Sequence, residues 1–386
     1  MLLTIDTMTL SRLFNDFFHS EKSGGIILIV CTVLSLVLTN SAFQDSYLSF
    51  WSLEFGEHSV AHWINDGLMT IFFLLIGLEL EREIYVGELS DVQNSLLPIF
   101  GALGGMIIPA GIHLMMNYGT DGQRGAGIPM ATDIAFALGV LSLLGNRIPA
   151  MLKVFLTALA VIDDLGAIMV IAIFYTGDIA WTNLLIALGI FAFLLLLNRL
   201  KVHNLIPYLV LGIVMWYFML HSGIHATITG VLLAFAIPFG DGSEKSPSYL
   251  LQKALHLPVA FFILPIFALA NTSLAISGQW YLSLLTLNGL GISLGLLLGK
   301  PLGIILSCYL AIKSGLASIP EGIKFSQMTG AAFLGGIGFT MSIFITLLAF
   351  NNPAIIDQSK IAIMVSSLTA GVLGFLILKA VSPKPV

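Results

Sequence analysis

Long hydrophobic runs separated by short polar stretches dominate this sequence. Most of them approach the roughly 20 residues that an α-helix needs to cross a bilayer. The pattern predicts an all-α polytopic membrane protein with about 12 transmembrane helices in a single membrane domain, 1–386. The predicted spans are 24–41, 59–80, 95–117, 127–144, 151–175, 182–199, 204–220, 223–238, 254–275, 287–312, 328–350 and 359–379.

Basic residues are distributed unevenly between the predicted loops. The termini and the even-numbered loops hold 13 Lys and Arg residues, whereas the odd-numbered loops hold only Arg124 and Lys360. Because Lys and Arg concentrate in cytoplasmic loops, both termini are expected in the cytoplasm, including the N-terminal segment 1–23. The aromatic, β-prone stretch 45–58 then lies outside, either as a small β-hairpin or as an irregular interfacial loop.

Composition excludes several classes of protein. The chain is 57% hydrophobic and 10% charged, whereas about 25% of the residues in a soluble domain are charged. The net charge is −5 and no long basic run occurs, so no nucleic-acid partner is expected. The two cysteines lie in apolar runs, which argues against a disulfide or metal framework. No nucleotide-binding loop is present, and no cofactor is implied.

Two adjacent acids stand near the middle of the fifth predicted span. Asp163 and Asp164 have about a dozen apolar residues on either side, and a charge at such a depth costs about 2.5–3.5 kcal/mol on insertion scales. Neighbouring helix residues point about 100° apart, so one acid can face a cavity while the other faces a neighbouring helix. Carboxylate oxygens suit a hard cation such as Na⁺ or Li⁺. The pair is therefore the candidate site for ion binding and proton transfer.

Lys300 and Asp133 are the other charges deep within predicted spans. Lys300 is expected to pair with a carboxylate, and Asp163 is the preferred partner. Asp133 follows Pro129 and Thr132, a sequence that favours a broken helix, and 335–340 is a matching glycine-rich weak point in span eleven. Interrupted helices in corresponding positions of two halves indicate a transporter binding site at an inverted repeat. Asp133 and Lys300 would compensate the ends of the broken helices.

Charged residues also mark the two ends of span two. Asp66 lies near the external end and is a candidate for an external funnel or a plain interfacial acid. The cytoplasmic end carries a cluster that could attract cations or sense pH, together with a histidine at the start of span nine. These candidates are Glu79, Arg82, Glu83 and His256.

Several of these stretches together resemble the NhaA family of bacterial Na⁺/H⁺ antiporters. The similarity runs in order along nearly the whole chain, and several of the matching motifs are long and contain charged residues. The matching stretches are 24–28, 72–79, 131–139, 162–167, 299–303 and 335–344.

The resemblance implies a fold and a set of residue roles. Spans three to five would repeat as spans ten to twelve in inverted topology, with spans four and eleven unwound and crossing near mid-membrane. Asp164 would be the main carrier of Na⁺ and protons, and Asp163 the second titrating acid and gate. Lys300 would be the partner of Asp163, Asp133 the compensating charge at the crossing, and Thr132 a neighbour of the site.

The resemblance also implies an activity and a setting. The protein would be an electrogenic antiporter of the bacterial inner membrane, with more protons entering than Na⁺ or Li⁺ leaving, and it would serve Na⁺ and pH homeostasis. The hairpin at 45–58 would imply a homodimer surrounded by lipid. One departure from the family is that Gln252 and Lys253 stand where an acid of the proposed pH-sensing region is expected.

Two other function classes use membrane-embedded acids. A cation channel would not need neutralised helix breaks around one occluded site. An intramembrane aspartyl protease brings its two acids from different helices, whereas Asp163 and Asp164 are neighbours on one helix. The sequence therefore favours a secondary transporter, not an enzyme.

Overall fold

The computed structural model describes residues 7–276 and 278–382, and these are mostly helical. Residues 1–6 of the predicted N-terminal segment and Lys384 lie outside the described residues. The α-helices are α1 (Thr7–Thr39), α2 (Gln44–Ser52), α3 (Val60–Trp63), α4 (Met69–Tyr85), α5 (Val92–Asn117), α6 (Ile134–Ser142), α7 (Ala150–Phe174), α8 (Trp181–Arg199), α9 (Leu205–Leu220), α10 (Ile228–Ala236), α11 (Pro247–Pro258), α12 (Leu264–Asn271), α13 (Leu282–Leu285), α14 (Leu287–Leu294), α15 (Lys300–Lys313), α16 (Phe325–Gly335), α17 (Phe339–Ala349) and α18 (Pro353–Val381). The other elements are strands β1 (Glu54–Phe55) and β2 (His58–Ser59), 3-10 stretches Glu88–Ser90, Asp121–Met130 and Gly145–Arg147, and π-helical turns Ile64–Leu68, Val259–Ile263 and Gly295–Gly299.

Seven helical segments of the described residues are long and apolar enough to cross a membrane, and up to ten if each of three bent helix pairs counts as one span. This confirms a multi-pass membrane protein, while the count of twelve stays a prediction. Predicted spans seven and eight correspond to the shorter helices α9 and α10. Hydropathy alone does not separate a short buried helix from a span. The seven segments are Val60–Tyr85, Ser95–Asn117, Ala150–Phe174, Trp181–Arg199, Pro247–Asn271, Leu287–Lys313 and Pro353–Val381.

The hairpin is shorter than the predicted stretch 45–58. Most of that stretch belongs to helix α2, in which Tyr47 and Trp51 make an edge-to-face contact one helical turn apart, with ring centroids 5.7 Å apart. The strands β1 and β2 pair antiparallel over two residues each. Gly56 makes the turn between them at a φ of +72°, a conformation that glycine adopts at little steric cost.

Close packing of α5 against α15 depends on two glycines. A methyl group added to Gly303 would lie 2.1 Å from the carbonyl oxygen of Gly104, and one added to Gly104 would lie 2.3 Å from the carbonyl oxygen of Gly303. Small residues let membrane helices approach this closely. The contact fixes α15, which begins at Lys300, against the middle of α5.

The described residues bury two apolar clusters. The larger cluster surrounds the breaks between the long 3-10 stretch and α6 and between α16 and α17. The smaller cluster joins α8, α9 and α10 to one side of α4. The candidate site lies in the larger cluster.

Candidate ion-binding site

Two interrupted helices meet at their breaks. The long 3-10 stretch and α6 are bent by 42° relative to each other, and α16 and α17 by 43°. The backbone leaves helical geometry at 131–133 and at 336–338. The Asp133 N–H donates a hydrogen bond to the Ile337 carbonyl at 2.6 Å. Each break therefore satisfies part of the backbone of the other.

Local sequence explains why the helices restart where they do. Pro129 lacks an N–H group and ends the helical pattern just before the first break. Asp133 is the N-cap of α6, since its Oδ1 accepts the Phe136 N–H at 3.1 Å. Ser367 of α18 accepts two N–H groups at the start of α17, at 3.2 and 3.1 Å. One N–H group at the start of α6 and two at the start of α17 are thereby paired.

The carboxylate of Asp133 joins the two breaks. Besides capping α6, it accepts the Thr340 N–H at 2.9 Å and the Thr340 hydroxyl. The side chain is almost fully buried. A negative charge here lies at the N-terminal ends of α6 and α17, where helix dipoles favour anions.

Lys300 lies on the opposite side of the first break. Its side chain is fully buried, and its Nζ is 2.8 Å from Oδ2 of Asp163. The same ammonium group donates to the carbonyl of Met130, the last residue of the long 3-10 stretch. A cation at a carbonyl end is the electrostatic complement of Asp133.

Asp163 and Asp164 have different surroundings although they are neighbours on α7. Asp163 pairs with Lys300 and also lies 2.6 Å from the hydroxyl of Thr132. That hydroxyl is also within 2.9 Å of the Gly335 carbonyl. It can therefore donate to a charged Asp163, or accept a proton from a neutral one while donating to Gly335.

Asp164 is fully buried, and neither of its carboxylate oxygens has a hydrogen-bond partner among the described residues. It lies within electrostatic range of Asp163, Asp133 and Lys300. A buried carboxylate without hydrogen bonds is costly, and natural structures rarely keep one without a functional reason.

Glu79 and His256, two residues predicted at the cytoplasmic side, line one narrow cavity. The walls also include Ile134 and Ala135 of α6. These two residues directly follow Asp133, so the cavity borders the first turn of α6.

The remaining predicted residues lie further from the central acids. Arg82 stacks over the ring of Tyr249, with its guanidinium carbon 4.8 Å from the ring centre, and Glu83 packs against Gly87. Asp66 pairs with His62, and 3.0 Å separates its Oδ2 from the imidazole Nε2. The 13 residues from Asp66 to Glu79 correspond to roughly 20 Å of helix.

Several groups that complete the site were not predicted from the sequence. Thr340 stands in the glycine-rich weak point of span eleven, and a hydroxyl group beside a predicted helix break could have marked it as a partner for Asp133. Ser367 and the Met130 carbonyl left no signal, because their roles depend on tertiary packing. Glu81 lies in the charged stretch at the cytoplasmic end of predicted span two; it is buried, and Ser248 Oγ donates to it at 3.3 Å.

The chemistry available to a cation at this site is oxygen coordination. The described residues contain no group of three or more His, Cys, Asp or Glu side chains that could hold a metal ion. The oxygens near the breaks come instead from three carboxylates, the Thr132 hydroxyl and backbone carbonyls. Oxygen ligands of this kind suit hard cations.

Comparison with known proteins identifies one family over nearly the whole chain. The family model described as Na⁺/H⁺ antiporter 1 matches residues 15–378. The Na(+)/H(+) antiporter NhaA of Flavobacterium psychrophilum is 63% identical over 374 residues, 97% of each chain. The NhaA of Cytophaga hutchinsonii is 60% identical over 379 residues, 98% of each chain. That of Dechloromonas aromatica is 58% identical over 376 residues, 96% of this chain and 97% of its own. The resemblance noted in the sequence is confirmed, and the chain belongs to the Na⁺/H⁺ antiporter 1 family.

Proposed function

We propose that this chain is a secondary transporter that exchanges Na⁺ for protons, with Asp164 as the group for which the two ions compete. The observation that carries this function is the burial of Asp164 without a hydrogen-bond partner, next to an acid that does have partners. A carboxylate in this position gains most from binding either a proton or a cation. Full-length relatives named as Na⁺/H⁺ antiporters support the same activity.

The exchange cycle follows from the different surroundings of the two acids. When Na⁺ binds, both carboxylates are charged, and Lys300 and Thr132 stabilise Asp163. When protons bind, Asp164 and then Asp163 become neutral, and the 2.8 Å ion pair with Lys300 is lost. Two acids can thus release two protons for each Na⁺ bound, which supports electrogenic exchange. Li⁺ is a second cargo because carboxylate oxygens also suit this small hard cation.

The interrupted helices supply the fixed frame of this cycle. In this proposal they are spans four and eleven of a twelve-span domain with inverted repeats, crossing near the membrane centre. Asp133 and Lys300 hold the breaks, and Glu79, Arg82, Glu83 and His256 form a cytoplasmic funnel that responds to pH. Asp66 lines an external opening.

The setting of the proposed activity is the bacterial inner membrane, with both termini in the cytoplasm. The uneven distribution of Lys and Arg supports this orientation. The hairpin of β1 and β2 supports a homodimer through its exposed backbone edge. In this orientation external protons, drawn in by the membrane potential, expel cytoplasmic Na⁺.

The test is dissipation of a proton gradient in everted membrane vesicles on addition of Na⁺, Li⁺ or K⁺ over a range of pH. We expect a response to Na⁺ and Li⁺ but not to K⁺. Asp164→Asn should abolish it, whereas Asp45→Asn, at an exposed acid on α2, should leave it intact.

Three outcomes would contradict the proposal. Exchange that survives in purified Asp164→Asn protein would remove Asp164 from the mechanism. Single-channel currents from reconstituted protein would indicate a cation channel instead. Cleavage of a membrane peptide would indicate a protease.

A further inference from the structure

A wide helical turn stands directly before Lys300. The segment Gly295–Gly299 is π-helical and lies between α14 and α15. The cause is visible in the sequence, because the ring of Pro301 would clash with the carbonyl four residues earlier in a regular α-helix. The turn Val259–Ile263 shows the same relation, since Pro265 is also the second residue after it. Turns of this kind occur frequently at functional sites.

Both end residues of the turn are glycines pressed against prolines of neighbouring elements. A methyl group on Gly295 would lie 2.6 Å from Cβ of Pro129, and one on Gly299 would lie 2.8 Å from Cα of Pro109. Real Cβ atoms do not approach other atoms this closely. The turn is therefore wedged between the middle of α5 and the end of the long 3-10 stretch, with no room for a side chain at either end.

This close packing of the π-helical turn determines where the Lys300 side chain starts. Lys300 is the first residue after the turn, and Pro129 precedes Met130, whose carbonyl accepts the Lys300 ammonium group. A change of one residue in helical register turns a side chain by about 100°. A shift of the turn would thus move the ammonium group away from Met130 and from Asp163 together.

We propose that Gly295 and Gly299 are positioning residues for Lys300, and that the wide turn they close sets the strength of the Lys300–Asp163 pair. The inference rests on the proposed exchange function, because it names residues that tune the same ion site. These glycines act through Lys300 and contact neither the ion nor the acids.

The first experiment compares Gly295→Ala and Gly299→Ala with Gly111→Ala in reconstituted, full-length protein. Gly111 lies on α5, and a methyl group there would meet nothing within 4 Å, so it is the matched control. We expect the apparent KM for Na⁺ to change by about tenfold in the first two variants, because overpacking costs of this kind correspond to factors of ten or more. Their pH profiles should shift as well. Gly111→Ala should match the wild type.

The second experiment asks whether the glycines act through Lys300. The pH dependence of the thermal midpoint is measured without Na⁺ for Gly295→Ala, Lys300→Ala and the double variant. Gly295→Ala should change this dependence in the wild-type background and leave it unchanged in the Lys300→Ala background. If Gly295 had a purely structural role, Gly295→Ala would have the same effect on the pH dependence of the thermal midpoint in both backgrounds. That result would overturn the inference.

Two further outcomes distinguish a failure of this inference from a failure of the proposed function. If the alanine variants do not fold, Pro301→Ala replaces them, since it relaxes the turn without adding atoms. A wild-type pH profile and thermal response in Pro301→Ala would then overturn the inference. If wild-type protein shows no Na⁺-driven exchange, the proposed function fails. The thermal measurement without Na⁺ still tests whether the two glycines position Lys300.

Discussion

Removing the charge of Lys300 should destabilise the protein strongly. The Lys300 Nζ and Asp163 Oδ2 lie 2.8 Å apart, and both side chains are fully buried. Lys300→Met keeps a similar length and removes only the ammonium group. Among the described residues, Asp163 is then left with the Thr132 hydroxyl as its single partner, and the Met130 carbonyl loses its charged donor.

The size of the effect follows from this burial. Breaking a buried pair by removing one partner costs about 3–5 kcal/mol, because an uncompensated charge stays behind. Replacing both partners by neutral groups is far less costly. Asp163→Asn with Lys300→Met should therefore recover most of the stability, since an amide oxygen still accepts the Thr132 hydroxyl.

Unfolding in mild detergent, followed against denaturant at several pH values, measures both variants. The loss in Lys300→Met should be largest at alkaline pH, where Asp163 must carry its charge. It should shrink at acidic pH, where Asp163 takes up a proton. Two results would contradict this prediction: a Lys300→Met variant as stable as the wild type at alkaline pH, or a double variant no more stable than the single one.

Three other changes have outcomes that follow from the described contacts. Asp133→Ala removes an N-cap and should lower stability by about 1–2 kcal/mol in detergent unfolding, more than Asp133→Asn, which keeps an acceptor. Trp63→Phe removes the 2.8 Å bond from the indole N–H to the Phe55 carbonyl, so hydrogen exchange in β1 and β2 should speed up while transport rates stay unchanged. In a cysteine-free background, Arg124→Cys should react with an impermeant thiol reagent from outside and Lys245→Cys only from inside; the reverse would overturn the proposed orientation.

The central charges could be selected from the sequence because a charge within an apolar run costs free energy on insertion, whatever the exact helix boundaries are. This cost does not depend on the fold, so it marks Asp163, Asp164, Lys300 and Asp133 together. The structure brings all four to one pair of helix breaks. The break after Pro129 was similarly visible, because proline and the following polar residues act locally.

The groups that complete the site depend on contacts distant in sequence. Thr340 is 207 residues from Asp133, and no local pattern links them. The π-helical turn before Lys300 depends on Pro301, which is local, but also on the glycine contacts with two other elements. Predicted span eight corresponds to α10, which is only nine residues long and packed against α4, and hydropathy does not reveal either feature.

The charges at the two helix breaks explain why the adjacent acids have different partners. Asp133 satisfies the N–H ends of α6 and α17, and Lys300 satisfies the carbonyl end at Met130. Because Lys300 is thereby held at the break, it is available to only one of the two neighbours on α7, which point about 100° apart. Asp163 takes this partner, and Asp164 has none among the described residues. The charge that stabilises the broken helix is thus also the reason why one carboxylate remains unpaired, as the proposed exchange of a proton for a cation requires.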